Sequence, residues 1–288
     1  MAAAVAAAAA YMLFEAQWVQ CRQDDLAVPG LPAAWSGLTV LHLADIHAGA
    51  FAVNERSLAK AIAWAEPLAP ELVLLTGDNL GDPARSGHCL ELLARLHPSL
   101  GMYAVSGNHE YGLSKGPLAR PRDGSSLWAG AGVTLLADTC VALPPRDGAE
   151  VVLCGADHLT GGYDLVAGAG DGAPPPAGAR AFSWPSPTSF PILLVHEPPE
   201  SDSPLFGRFP LAFAGHTHAG QLRAPTPHGL RVISGEEHEY LCGVHPWGEG
   251  KLVITRGIGT SFLPFRLFTR PEATLWRLLR EESPSAGR

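Results

Sequence analysis

The chain has 288 residues and a formal net charge of −8, long enough for one large α/β domain or two small ones. Hydrophobic residues make up 47 % and charged residues 17 %, which supplies a packed core and excludes wholesale disorder. The acidic balance argues against a protein that grips nucleic acid by charge, since that needs a basic face; no stable nucleic-acid partner is expected.

In chain order, Met1 to Cys21 carries one charge, Glu15. Its length just suffices for a span of roughly 20 apolar residues. Most of it is Ala, however, and no basic residue precedes it as in a signal peptide. The stretch fits a weak anchor with membrane contact through the N-terminus and an Ala-rich helix lying on the domain equally well. Residues 1–27 are therefore set apart from a domain at 28–282. Leu38 to Leu43, bounded by Gly37, reads as a buried strand. Asn54 is placed to cap a helix from Glu55 to Ala65 that stops near Pro67. A second strand follows at Leu72–Thr76, a helix at Gly87–Leu96 before Pro98, and a third strand at Met102–Ser106. Strands alternating with helices predict a sheet with parallel strands.

Shorter strands are expected at Val133–Leu136, Val151–Cys154, Ile192–Val195, Leu211–Ala214, Leu230–Ser234, Leu252–Ile258 and Thr274–Leu279. Gly161 to Pro191 is rich in Gly, Ala and Pro and reads as an irregular insertion. Ser283 to Arg288 reads as a disordered tail. The cysteines are five, an odd count, with no C-x-x-C pair. A disulfide framework or a Cys-based zinc site is not expected, and the residues read as small buried hydrophobes.

Five segments follow predicted strands, where α/β sheets place ligands. They are Asp45-Ile-His47, Gly77-Asp78-Asn79, Gly107-Asn108-His109-Glu110, His196-Glu197-Pro198 and Gly215-His216-Thr217-His218. Carboxylate, imidazole and amide oxygen without thiolate suit divalent ions such as Mn, Fe, Zn or Co. The seven candidates are Asp45, His47, Asp78, Asn108, His196, His216 and His218. One metal takes three or four protein ligands, so seven exceed one ion but fit two if a carboxylate bridges them. Two such ions clamp a phosphate and activate a shared water for in-line attack on phosphorus. Each segment alone is weak; the order of all five along the chain is the signal.

That ordered set resembles the motifs of the calcineurin-like metallophosphoesterases, over about Leu38 to Leu279. Ala214 to Leu222 and Arg256-Gly-Ile-Gly-Thr-Ser261, followed by Pro264 and Arg266, are similar to a bacterial, often membrane-anchored subgroup. That subgroup includes cell-envelope phosphodiesterases and enzymes that split UDP-diacylglucosamine. The resemblance implies a four-layer α/β/β/α sandwich and a metal-dependent phosphohydrolase, foremost a phosphodiesterase that attacks phosphorus with a hydroxide bridging two divalent ions (Mn, Fe or Zn). The substrate it implies is a phosphate ester or pyrophosphate, lipid-linked ones included. By motif position Asp45, His47 and His218 hold one metal, Asn108, His196 and His216 the other, and Asp78 bridges. His109 is then no ligand but the group that stabilises the phosphorane and protonates the leaving oxygen. The family has a second Asp three residues after the bridging one; here that position is Gly81, with Asp82 next. Either a bulge restores the contact that orients His109, or another acid such as Glu110 substitutes.

Two other functions compete. A non-catalytic metal-binding scaffold on the same fold tends to lose ligands or the catalytic His, and this chain keeps them. A metallo-β-lactamase wants His-x-His-x-Asp-His, which Gly215 to Gly220 lacks. Of the remaining residues, His42 reads as buried in its strand, and His88, His97, His228 and His245 as surface residues. His158 reads as structural, with the substrate cleft as its alternative, and Glu236 to Glu239 as a solvated acidic loop. Arg223, Arg256 and Arg266 are candidates to meet phosphate. Phe262 to Phe268, apolar for a loop, either covers a core edge or meets a lipid or acyl chain.

Overall fold

In the computed structural model two six-stranded sheets lie face to face. The structure describes residues 1–113, 128, 130–159, 188–203, 205–227, 229–234 and 238–282. Most of the Gly161–Pro191 stretch, His228, two residues of the Glu236–Glu239 run and the tail Ser283–Arg288 lie outside them.

The first sheet has the order β1 (Gln20–Val28), β14 (Glu272–Arg280), β2 (Thr39–Leu43), β3 (Leu72–Thr76), β4 (Met102–Val105), β5 (Val133–Leu135). Strands β2 to β5 are parallel, as expected from the alternation with helices. Consecutive residues of these strands face opposite ways. Leu41, Leu43, Val73, Leu75, Met102 and Ala104 pack under α2 (Ala52–Ala65) and α3 (Gly87–Leu93). Val40, Leu72, Leu74 and Val105 face the second sheet. Both faces are buried, so the strands read as unbroken apolar runs.

The second sheet has the order β12 (Gly243–Trp247), β13 (Gly250–Ile254), β9 (Leu211–Ala214), β8 (Phe190–Leu194), β7 (Val151–Gly155), β6 (Thr139–Ala142). Its inner residues Leu153, Ile192, Leu194, Leu211, Phe213 and Val253 close the inter-sheet core. Its outer face buries Val152, Leu193 and Ile254 against Leu205, Phe209 and Trp247. A hairpin, β10 (Leu222–Thr226) with β11 (Gly229–Ser234), stands apart from both sheets. The α/β sandwich implied by the motifs is thus the architecture found.

Three expectations are corrected. The boundary at residue 27 does not hold: Gln20–Val28 is the edge strand of the first sheet, paired parallel with β14 from Gln20↔Glu272 to Val28↔Arg280. Asn54 does not cap α2, which starts two residues earlier behind Phe51. Its buried side chain instead donates to the carbonyls of His47 (3.2 Å) and Thr260 (3.1 Å) and accepts from the Thr260 N–H (2.9 Å), tying two loops together. Cys140 and Cys154 are not isolated hydrophobes. They are direct partners across the antiparallel β6–β7 pair and form a disulfide.

The N-terminal stretch forms α1 (Ala2–Glu15), about 21 Å long at 1.5 Å per residue. Its C-terminal end is anchored on the domain. The Thr269 N–H donates to Glu15 Oε1 (2.7 Å), and the Ser57 hydroxyl donates to the Ala16 carbonyl (2.9 Å). Among the described residues no helix is long and apolar enough to cross a membrane.

Candidate metal centre

All five motif segments emerge at carboxyl ends of strands: after β2, β3 and β4 in one sheet, after β8 and β9 in the other. Backbone bonds lock the segments together. Asp45 N–H donates to Gly77 O (2.9 Å), His47 N–H to Asp78 O (2.9 Å) and Gly215 N–H to His196 O (2.9 Å). His196 Nδ1 lies 2.9 Å from Thr76 O, linking the two sheets directly. The turns are strained: Asp45, His47, Asp78, His216 and His218 all have φ between 47° and 71°. Left-handed backbone at non-glycine residues costs about 1–3 kcal/mol each and persists where function demands it. Gly107 and Gly77 are required by close approach, since a Cβ would collide with the Asp78 carboxylate at the first and the His196 ring at the second.

The structure brings the seven candidates and His109 together. Ligand atoms of Asp45, His47 and His218 lie within 4.8 Å of one another, and so do those of Asp78, His196 and His216. Asn108 Oδ1 is 3.3 Å from His196 Nε2. Asp78 lies between the groups, its Oδ2 3.4 Å from His196 Nε2, 3.8 Å from His47 Nε2 and 3.9 Å from His109 Nε2. Ring nitrogens point at each other: His47 Nε2 and His218 Nε2 are 3.0 Å apart, as are His196 Nε2 and His216 Nδ1. Buried lone pairs converging from oxygen and nitrogen, with no thiolate, form a donor set that fits divalent cations.

Burial and mutual attraction set the protonation of this cluster. Burial, against the attraction of His196, pushes the Asp45 carboxyl up to about 8. Burial, reinforced by His109, drives His47 down to about 3, and burial with His196 does the same to His216. Burial also opposes ionisation of Asp78, but His196, His47 and His109 outweigh it and hold the carboxyl well below the usual range. His196 is pushed up to about 10: burial opposes its charge, and Asp78 overcomes the penalty. His47 and His216 are thus neutral and Asp78 ionised, as ligands must be, whereas His196 and Asp45 each hold a proton that a bound cation would displace.

The acid of the Gly107–Glu110 motif has a different task from orienting His109. Glu110 Oε2 accepts from the N–H groups of Gly107 (2.8 Å) and Asp78 (2.9 Å). Its Oε1 accepts from Asn79 (2.7 Å) and Leu80 (3.0 Å). One buried carboxylate thus clamps the loops after β3 and β4, its lone pairs spent on backbone. Each buried donor left unsatisfied costs about 1–3 kcal/mol. Glu110→Ala is therefore expected to lower unfolding free energy by at least about 3 kcal/mol in urea titrations. A loss below about 1 kcal/mol would refute the clamp.

Of the remaining sequence candidates, His42 is buried, with Nε2 2.9 Å from Thr76 Oγ1, as expected. His158 sits on the wall of the site cavity, its ring 5.8 Å from that of His196. His238, read from sequence as part of a solvated run, lies there too, 5.5 Å from the His216 ring. His158 follows the carboxyl end of β7, so its cleft alternative is the one found, whereas nothing in the local pattern marks His238. Arg266 does not offer itself to phosphate. It is fully buried and donates to the carbonyls of Gly259, Thr269, Arg256 and Gly257, with Nη2 3.2 Å from His218 Nδ1. Arg256 pairs with Glu272 at 3.3 Å, and Arg223 donates to Leu230 O.

Comparisons with known proteins agree with this geometry. Residues 38–220 match the profile of the family described as "Calcineurin-like phosphoesterase". The chain is 32 % identical over 246 residues to "Phosphodiesterase YaeI" of Escherichia coli (strain K12), covering 83 % of this chain and 82 % of that protein. It is 26 % identical over 251 residues to "Uncharacterized metallophosphoesterase YkuE" of Bacillus subtilis (strain 168), covering 86 % and 81 %. It is also 27 % identical to a Danio rerio "Transmembrane protein with metallophosphoesterase domain", covering 87 % of this chain but 55 % of that longer protein.

Proposed function

The chain belongs to the calcineurin-like phosphoesterases, a family of phosphoric ester hydrolases, and from that premise we propose that it is a phosphodiesterase built around two divalent cations. Asp45, His47 and His218 would hold one, Asn108, His196 and His216 the other, and Asp78 both. The single observation that carries this reading is the position of Asp78 Oδ2, 3.4 Å from His196 of one group and 3.8 Å from His47 of the other. The diester preference is supported by the similarity to the E. coli phosphodiesterase. When bound, such cations neutralise phosphoryl charge and lower the pKa of water toward 7. Mn, Fe and Zn all suit the donor set.

The chain's own residues supply the rest. The ligand loops, fixed by the Glu110 clamp and the inter-sheet bonds, hold the substrate phosphate in one place, and positioning is worth several kcal/mol. His109 has its backbone N–H on Asp78 Oδ1 (2.8 Å) and its ring edge-on to His47 at 4.4 Å. From there its imidazole can donate to an equatorial phosphoryl oxygen and pass a proton to the leaving oxygen.

The test is hydrolysis of bis-(p-nitrophenyl) phosphate by protein loaded with Mn, Fe or Zn, before and after chelation. Turnover that chelator abolishes and fresh metal restores is the expected result. Protein that binds two ions and cleaves no ester or pyrophosphate in a panel overturns the reading.

A further inference from the structure

The site opens into a cavity of about 450 Å³ whose lining is of two kinds. Beside the proposed ligands stand Leu113, Leu222, Phe262 and Leu263. Three of these are well exposed: Phe262 at 67 %, Leu113 at 54 % and Leu263 at 49 %. Among the described lining residues there is no lysine or arginine. Among those residues a second charged group of a substrate meets no lysine or arginine, whereas an apolar group finds a ready surface.

The turn that presents Phe262 is built at a cost. Phe262 has φ of 57°, a conformation that glycine or asparagine adopts cheaply and a bulky aromatic does not. The turn is nonetheless fixed by one side chain. Gln221 Nε2 donates to the carbonyls of Ser261 (2.8 Å) and Leu263 (3.1 Å), and its Oε1 accepts from the Ser261 N–H (2.9 Å). Gln221 directly follows Gly220, two residues beyond His218, so the turn is registered to the metal centre. Backbone strain and exposed aromatic area held beside a reactive centre point to a ligand.

We infer that the Phe262–Leu263 turn is a specificity element: it takes an apolar arm of a phosphodiester while the phosphate lies at the histidine–aspartate centre. This deepens the phosphodiesterase reading and rests on it. The substrate class is then a diester with one extended hydrocarbon or aromatic substituent, and Phe262 acts on KM for that arm.

The experiment compares octyl p-nitrophenyl phosphate with methyl p-nitrophenyl phosphate, below the aggregation limit, on metal-loaded protein. Phe262→Asn keeps the left-handed turn and removes the ring; Phe262→Leu keeps an apolar side chain. The parent should favour the octyl ester in kcat/KM by at least about tenfold. Phe262→Asn should lose most of that preference through KM, with the methyl ester unchanged, and Phe262→Leu should restore much of it. Calorimetric binding of octylphosphonate against methylphosphonate reads the same preference without turnover. Equal treatment of both chain lengths by the parent, or equal loss on both in Phe262→Asn, overturns the inference while diester hydrolysis stands. A phosphonate preference that depends on Phe262, without hydrolysis of either ester, sustains the apolar site and overturns the phosphodiesterase reading instead.

Discussion

Asp78→Ala is expected to remove both cations and reduce diester hydrolysis on the order of 10³-fold or more. The reason is geometric. Asp45 and Asn108 each stand with one group of imidazoles, but Asp78 Oδ2 lies among His47, His196 and His109. Removing it takes negative charge from both halves at once and leaves His196 without the partner that keeps it protonated in the cation-free protein. It also frees the His109 N–H that Asp78 Oδ1 accepts. Asp78→Asn separates the two effects, since it can preserve the loop bond while removing the charge. Elemental analysis should find both variants depleted of metal. Two ions per chain in Asp78→Asn would show that the carboxylate is not shared.

His109→Ala should behave in the opposite way, retaining the metal content of the parent and losing about 10²–10⁴-fold in rate. Its Nε2 is 3.9 Å from Asp78 Oδ2 and its ring rests edge-on against His47, within 4.8 Å of ligand atoms of both, so metal content is the measurement that separates acid from ligand. A general acid matters most when the leaving group is a poor one. The loss should therefore be smaller for p-nitrophenyl esters than for dialkyl esters, whose alkoxides need the proton. An emptied metal site in His109→Ala would make it a ligand and reverse the assignment of roles. A loss independent of leaving group would leave it with electrostatic stabilisation alone.

The candidate metal centre was legible because its residues obey a local rule. Each candidate follows a short apolar run, and such runs are buried parallel strands whose carboxyl ends face one side of the sheet. That rule needs no knowledge of which strand neighbours which, so Asp45, His47, Asp78, Asn108, His196, His216 and His218 could be grouped before any contact was known. The edge strand β1 escaped because it is polar: the burial of Gln20–Val28 comes on one side only and near its end, at Leu26 and Val28. The Cys140–Cys154 bond escaped because register across β6 and β7, not spacing along the chain, makes them partners.

Chemical type and order along the chain carried the resemblance to the family, which the comparisons then showed; the strand-end placement of eight side chains followed from residue identity and local periodicity alone. Which oxygen stands between the two imidazole groups was decided only by the packing of sheet against sheet, which carboxylate is spent on four backbone N–H groups by the pairing of β3 with β4, and which aromatic is held exposed on the cavity wall by the Gln221 contacts. Such relations reach across the chain, 32 positions for Glu110 with Asp78 and 171 for His47 with His218, and no periodicity in a chain encodes a distance that exists only after strands and sheets have packed.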